Sequence, residues 1–280
     1  MRILVAGATG AIGRLLVPLL IAEGHEVAGT SRSAEGVKAV DALGARGLQM
    51  DAFSAESVNA ALHAFGPEIV VHQLTALGER DFAANARIRI EGTRHLVDAA
   101  LEVGARKIIA QSISWVYEAG DTPADEAVPL DATPERAAMM AGVLGLESQS
   151  ARLPEHVVLR YGSLYGPGTW HERGGLVARQ LRGGALSAND GISSFVHVED
   201  AARAAVAALV WPNGIVNIVD DEPAPARDWL PALAAAFGEP APAIVEGRAG
   251  WERGASNRRA RTELGWVPAW PTWRTGFAAS

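Results

Sequence analysis

The chain has 280 residues, 49% of them apolar and 20% charged, so it can bury a sizeable core as one large domain or as a domain with an appended lobe. A formal charge of −7 leaves no electrostatic footprint for nucleic acid or an anionic membrane, and the absence of cysteine excludes disulfides, cysteine-ligated metals and thiol nucleophiles. The longest apolar run, LLVPLLIA, is too short to span a bilayer, and a strand starting at residue 2 leaves no room for a cleaved signal. A cytoplasmic enzyme or small-molecule binder is expected.

RILVAG reads as a short buried strand, and residues 11–22 as a helix in which Pro18 can introduce a kink. HEVAGTSR is the second strand, GLQMD ends the third, and PEIVVHQLT is the fourth. A long helix is predicted near residues 81–103, then a fifth strand at RKIIAQS, a helix over 134–152 and a sixth strand at HVVLRYG. Continuous apolar strands separated by helices indicate an α/β fold, a parallel sheet covered on both faces and doubly wound by right-handed crossovers. After Gly166 the pattern loosens, and five of the eight tryptophans fall between Trp229 and Trp273. The expected organisation is a nucleotide-binding domain over 1–165, with 193–210 rejoining it. Segments 166–192 and 211–280 form a smaller substrate-binding lobe over the sheet's carboxyl edge.

The turn GATGAIG sets Gly7, Gly10 and Gly13 between the first strand and first helix. Gly7 permits a tight turn, Gly10 lets backbone approach a pyrophosphate, and Gly13 lets helix pack on strand; the phosphates sit at the helix N-terminus. Position within a repeated β–α pattern is what raises this turn above a packing feature. The second strand ends in GTSRS, with no carboxylate for a ribose 2′-hydroxyl; Ser31 and Arg32 suit a 2′-phosphate instead. NADP(H) is therefore expected over NAD(H). Asp51, closing the third strand, either accepts from the adenine amino group or caps the next helix.

At this point the chain resembles the extended short-chain dehydrogenase/reductase superfamily in its NAD-dependent epimerase/dehydratase branch. The resemblance runs in order through GATGAIG, VVHQLTA, EGTRHLVDAA, SISWVY, VVLRYGSLYGPG, SFVHVEDAA and NIVDDEP, and closes on RTELGWVPAWPTW. It implies a Rossmann domain and a C-terminal substrate lobe. It also implies cofactor contacts from Thr9, Ala11 and Ile12 in the turn, Ala52 beside Asp51, and Leu74, Thr75 and Ala76 after the fourth strand. A homodimer through the helices near 82–103 and 134–152 is a further implication.

The same resemblance exposes a departure. The family keeps a tyrosine four residues before a lysine, with a serine or threonine nearby; the ammonium lowers the phenol's pKa and readies it for proton transfer. The register set by Pro134 and Glu147 puts Met139 at the tyrosine position and Val143 at the lysine position. The hydroxyl position falls on Ile113, flanked by Ser112 and Ser114, and a family asparagine falls on Arg89, with Asn85 one turn earlier. No realignment restores the pair, because no lysine follows Lys107 and no tyrosine precedes a lysine by four residues. Met139 and Val143 are either a core stripe or an apolar wall against substrate. Both readings stay open.

Hydride transfer remains feasible if another group or a bound water supplies a proton. Tyr165 and His171, in LYGPGTWHERGG, and Ser112 are the candidates, set against plain packing roles for Tyr165 and His171. Trp170 could stack on a flat substrate, and Trp115 and Tyr117 are expected to reach the same cleft. Paired histidine spacing and a nucleophile elbow are both missing, so no metal site is expected and hydrolysis lacks support. Arg179, Arg182, Arg258 and Arg259 could anchor a sugar-nucleotide diphosphate, whereas the Met, Val and Trp content points to a more apolar small molecule. Three readings follow: an NADP-dependent oxidoreductase with a substitute proton donor, a non-redox cyclase, dehydratase or isomerase, and an NADP(H)-sensing binding module.

Overall fold

The computed structural model describes residues 1–77 and 81–279. In chain order the first half contains β1 (Arg2–Ala6), α1 (Gly13–Ala22), β2 (Glu26–Ser31), α2 (Ala34–Ala42), β3 (Arg46–Gln49), α3 (Ala55–Phe65) and β4 (Ile69–His72). There follow α4 (Phe82–Arg87), a π-turn (Ile88–Gly92), α5 (Thr93–Glu102), β5 (Lys107–Ile113), a 3-10 turn (Pro134–Arg136), α6 (Ala137–Ser150) and β6 (Glu155–Tyr161). The remainder comprises β7 (Ser163–Tyr165), α7 (Leu176–Arg182), β8 (Ser187–Ala188), β9 (Ile192–Ser193), β10 (Phe195–His197), α8 (Val198–Ala207), β11 (Gly214–Ile218), β12 (Ala224–Pro225), α9 (Ala226–Phe237), β13 (Ala243–Ile244), α10 (Arg258–Thr262) and α11 (Trp273–Ala279).

Seven strands form one sheet in the order β11-β6-β5-β4-β1-β2-β3. The pairs β3–β2, β2–β1, β1–β4 and β4–β5 are parallel, as the uninterrupted apolar strands require. This is the doubly wound Rossmann arrangement, and strand order reverses at β1, with β2 on one side and β4 on the other. The carboxyl ends of β1 and β4 are therefore the switch point at which such sheets bind ligands.

The chain divides into two compact units. The first holds Met1–Ser112, Thr133–Leu159 and Ala205–Ile215; the second holds Ile113–Ala132, Arg160–Ala204 and Val216–Ser280. The first is cored by Leu4, Val70, Ile108, Leu96, Val97 and Leu146, which bury the sheet under α3, α5 and α6. Lys107, one of two lysines in the chain, is buried there and donates to the Leu209 and Trp211 carbonyls at 2.9 and 2.8 Å. The second unit is cored by Tyr165, Phe195, Leu230, Trp273 and Phe277. Its C-terminal PAWPTW segment is held by two buried carboxylates: Asp200 accepts from the Ala269 and Trp270 amides, and Asp220 from Trp273.

Where one long helix is predicted over 81–103, the structure has two helices joined by a π-turn. Thr93 Oγ1 donates to the Ile88 carbonyl five residues back (3.3 Å), which accommodates the extra residue in that turn. Arg89, in this turn, lies one helical turn after the buried Asn85 on the same inward face and is 6% exposed.

Candidate functional site

The glycine turn is built as its spacing implies. Gly7 has φ +91°, and a Cβ there would lie 2.7 Å from the Gln73 carbonyl oxygen; one at Gly13 would lie 2.3 Å from the Gly7 carbonyl. A Cβ at Gly10 would meet only the Gly7 oxygen, at a tight 3.3 Å that a shift of a few tenths of an ångström would relieve. Thr9 and Gly10 are exposed, Ala11 is half-buried and Ile12 is buried. No side chain caps the start of α1; the Arg14 and Leu15 amides already donate to the Gly10 and Ile12 carbonyls, and the helix dipole there favours an anion. These features fit a dinucleotide pyrophosphate.

At the end of β2, Arg32 is exposed and Ser33 caps α2 by accepting from the Gly36 amide at 3.1 Å. Gly36 has no room for a side chain, since a Cβ would lie 1.9 Å from Ser31 Oγ. Asp51 Oδ1 accepts from the Phe53 amide, while the cap of α3 is Ser54, which accepts from Ser57. Ala52 is buried. The loop after β4 is held from three sides. The Leu74 amide donates to His72 Nδ1 (3.2 Å), Gln111 donates to the Leu74 carbonyl (3.0 Å), and the Ala76 amide donates to Asn85 Oδ1 (3.2 Å). Thr75 is exposed between them. With Nδ1 accepting, the His72 proton sits on Nε2, which donates to Thr93 Oγ1 at 2.8 Å. Burial and then the nearby Arg89 charge lower the His72 pKa to about 4, so the ring is neutral.

One face of α6 carries Met139, Val143 and Glu147 at successive turns. Met139 is half-buried and Val143 is fully buried. Glu147 is 8% exposed and accepts from the buried Ser112 Oγ at 2.8 Å. Arg89 lies close by: burial pushes its pKa down and the Glu147 carboxylate pulls it back up. Gly142 packs beside it, where a Cβ would sit in ordinary contact 3.5 Å from Arg89 Cδ. Ser112 is thus the hydroxyl end of a buried Arg89, Glu147 and Ser112 cluster. Sequence reasoning named its members singly and missed their association.

The second unit places the other sequence candidates apart from one another in role. Tyr165 is completely buried, edge-on to Phe195, His197 and Phe277, and its hydroxyl has no hydrogen-bond partner. Burial followed by the Asp220 and Asp200 charges pushes its pKa up, so the phenol keeps its proton. His171 is half-buried against Phe195 and Trp229; its Nδ1 donates to the Leu164 carbonyl at 2.9 Å, and desolvation lowers its pKa to about 4. Tyr117 is 1% exposed and donates to Asn217 Oδ1 at 2.6 Å, which is a packing position and no substrate contact. Trp170 packs against the core of this unit.

Trp115 does line a cavity, of about 180 Å³, together with Trp251, Ile192, Ser163, Ser193 and Glu252. Trp251 and Glu252 were not found in the sequence, because nothing local marks them. They arrive through the pairing of Ile192 with Arg253. The arginines that could anchor a diphosphate are otherwise engaged: Arg179 with the Gly174 carbonyl, Arg182 with Glu239, Arg258 with Asp125 and Arg259 with Glu263. No group of three or more His, Asp or Glu among the described residues could hold a metal ion, and no described helix is long and apolar enough to cross a membrane.

This fold and turn are those of the NAD dependent epimerase/dehydratase family, whose model matches residues 3–219; the chain belongs to that family. It is 45% identical to a 3-diazoavenalumate denitrifying reductase from a Streptomyces species, over 99% of both chains. It is 30% identical to a UDP-glucose 4-epimerase from Mycolicibacterium smegmatis, over 96% of this chain and 94% of that one. Among solved structures, the Thermus thermophilus UDP-glucose 4-epimerase in complex with NAD superposes with a TM-score of 0.77 at 28% identity, covering 99% and 97% of the two chains.

Proposed function

We propose that the protein is an NADP(H)-dependent reductase in which hydride replaces the dinitrogen of an aryl diazo group on a small, largely apolar metabolite. The observation that carries this reading is the α6 face, where Met139 and Val143 stand in place of a phenol and an ammonium. Losing a positioned acid removes about 10²–10⁴ in rate from a reaction that needs one. A reaction that needs none loses nothing. When bound, the reduced nicotinamide would supply the hydride: with the substrate as its diazonium cation, the C–N bond would break with its electron pair leaving in N2, and a C–H bond would form from the hydride pair. The positive charge would end on the oxidised cofactor, and no proton would move. The name of the 45% identical relative points to the same chemistry.

Within the chain, Gly7, Thr9, Gly10, Ala11, Ile12 and Gly13 would hold the pyrophosphate, Ser31 and Arg32 the 2′-phosphate, and Asp51, Ala52 and residues 74–76 the adenosine and nicotinamide edges. An exposed arginine beside the capped start of α2 favours NADP(H). The expectation of a substitute proton donor is not carried forward. Tyr165 is sealed in an aromatic core, the His171 ring is neutral and fixed by a carbonyl, and Ser112 is committed to Glu147. Association through α4, α5 and α6 as a homodimer is also proposed, since Phe82, Ile90 and Leu144 expose apolar surface there.

The test is isotopic. Purified protein with 3-diazoavenalumate and NADPH should release N2 in equal amounts with NADPH consumed, and deuterium should reach the ring from 4-deuterated NADPH. Deuterium arriving from D2O instead, or turnover without NADPH oxidation, would remove the proposal.

A further inference from the structure

We propose that the cavity of the second unit receives the substrate's aromatic ring, and that Glu252 makes it select rings bearing a cationic or proton-donating substituent. This deepens the reading above by naming the substrate class, and it rests on that reading only for the link to turnover.

Two indoles, Trp115 and Trp251, and the Ile192 side chain give the cavity flat apolar surfaces for an arene, while Ser114, Ser163, Ser193 and Ser194 make the rest of its wall polar. At about 180 Å³ it suits a single substituted ring and is small for a nucleotide sugar. The charge on its wall has one sign. Among the described residues Glu252 is the only ionisable one in the lining, and no arginine or lysine joins it there. Its Oε2 accepts from the Ala249 amide at 2.7 Å, which fixes the carboxylate on its own loop. The neighbouring guanidiniums are engaged elsewhere: Arg253 donates to the Thr122 and Glu118 carbonyls, and Arg248 to the Gly120 and Glu252 carbonyls and to the Asp121 carboxylate at 2.9 Å.

A part-buried carboxylate with electron-rich indoles beside it attracts a cation through both charge and ring quadrupole. It repels a carboxylate or phosphate in the same place. An arenediazonium meets this description, as does a protonated amine or amidine on a ring. The phosphates of a nucleotide sugar do not.

Three planar probes of one shape separate these terms: benzamidinium, benzamide and benzoate, each titrated calorimetrically into the full-length protein at neutral pH. Benzamidinium should bind about five- to tenfold tighter than benzamide, and benzoate weaker than either. In Glu252→Gln the first two should converge to within about twofold while benzamide is unchanged, since glutamine still accepts from Ala249. Trp251→Leu should weaken benzamidinium and benzamide alike. Raising salt should shrink the cation's advantage in the wild type, a reading independent of how any variant folds. The inference is overturned if benzamidinium fails to bind, binds no tighter than benzamide, or keeps its advantage in Glu252→Gln. A cation preference without diazo turnover would leave this inference standing and remove the reaction; turnover without the preference would do the reverse.

Discussion

The Gly7–Gly13 turn and the Met139–Glu147 face of α6 belong to the same unit, and the family fills both with residues that serve a cofactor. They differ in what constrains them. At the turn the constraint is backbone geometry: side chains at Gly7 and Gly13 would run into carbonyl oxygens, so only glycine fits whatever the chemistry. On α6 the constraint is chemical, and a helix accepts methionine and valine as readily as tyrosine and lysine. When the reaction changes, the turn therefore stays and the α6 face drifts. Retention of the first without the second is what the proposed reaction, which uses a nucleotide and needs no proton donor, would leave behind.

The largest effect should come from the charge that the α6 face retains. Glu147→Leu leaves Arg89 buried without its counter-charge, and should cost about 3–5 kcal/mol in denaturant unfolding. The double variant Arg89→Met with Glu147→Leu should recover most of that. A single-variant loss below about 1 kcal/mol would mean that the guanidinium is solvated and the cluster is no structural unit.

At the turn the two kinds of constraint can be pulled apart within three residues. Gly13→Ala drives a methyl into the Gly7 carbonyl and should cost about 3 kcal/mol of stability. Gly10→Ala meets little protein and should change stability by less than about 1 kcal/mol, yet weaken NADPH about tenfold or more by covering the phosphate approach. If Gly10→Ala bound NADPH normally, the turn would be only a packing feature.

The same contrast explains what could be read from the chain. The turn, the strand succession and the missing Tyr/Lys pair are local patterns, and each was legible. The Arg89, Glu147 and Ser112 cluster was not, because its members come from the turn after α4, from α6 and from β5, and no local pattern records that these distant segments meet. Tyr165 is a candidate through the family's loop into the substrate lobe, with packing as its other reading, and the packing that buries it comes from Phe195 and Phe277, far along the chain. Trp251 and Glu252 reach Trp115 through pairings of short strands that no local periodicity records.

A smaller effect lies in the pH response of the loop beside the turn. The folded pKa of His72 is about 4, below its unfolded value of 6.5, so the folded state refuses a proton that the unfolded chain binds. Stability from this group is complete above pH 6.5, declines as pH falls through the window, and is fully lost below about 4. In His72→Gln the slope of unfolding free energy between these limits should fall by about 1.4 kcal/mol per pH unit. An unchanged slope would place the ring in contact with water and unfasten the Leu74 loop from it.

The smallest effect is the most informative about chemistry. Met139→Tyr returns a phenol to a half-buried position without burying a charge, and adding Val143→Lys completes the family's pair at a fully buried one. If the step at carbon is hydride arrival with departure of N2, a restored acid has no proton to give, and diazo turnover by Met139→Tyr should stay within about twofold of wild type. The pair matters only where negative charge develops on an oxygen. A gain approaching the roughly 10² that general acids contribute would therefore show a proton in flight in the native reaction. The α6 face would then be a weakened version of the family's machinery, and its likeness to the retained glycine turn would be restored.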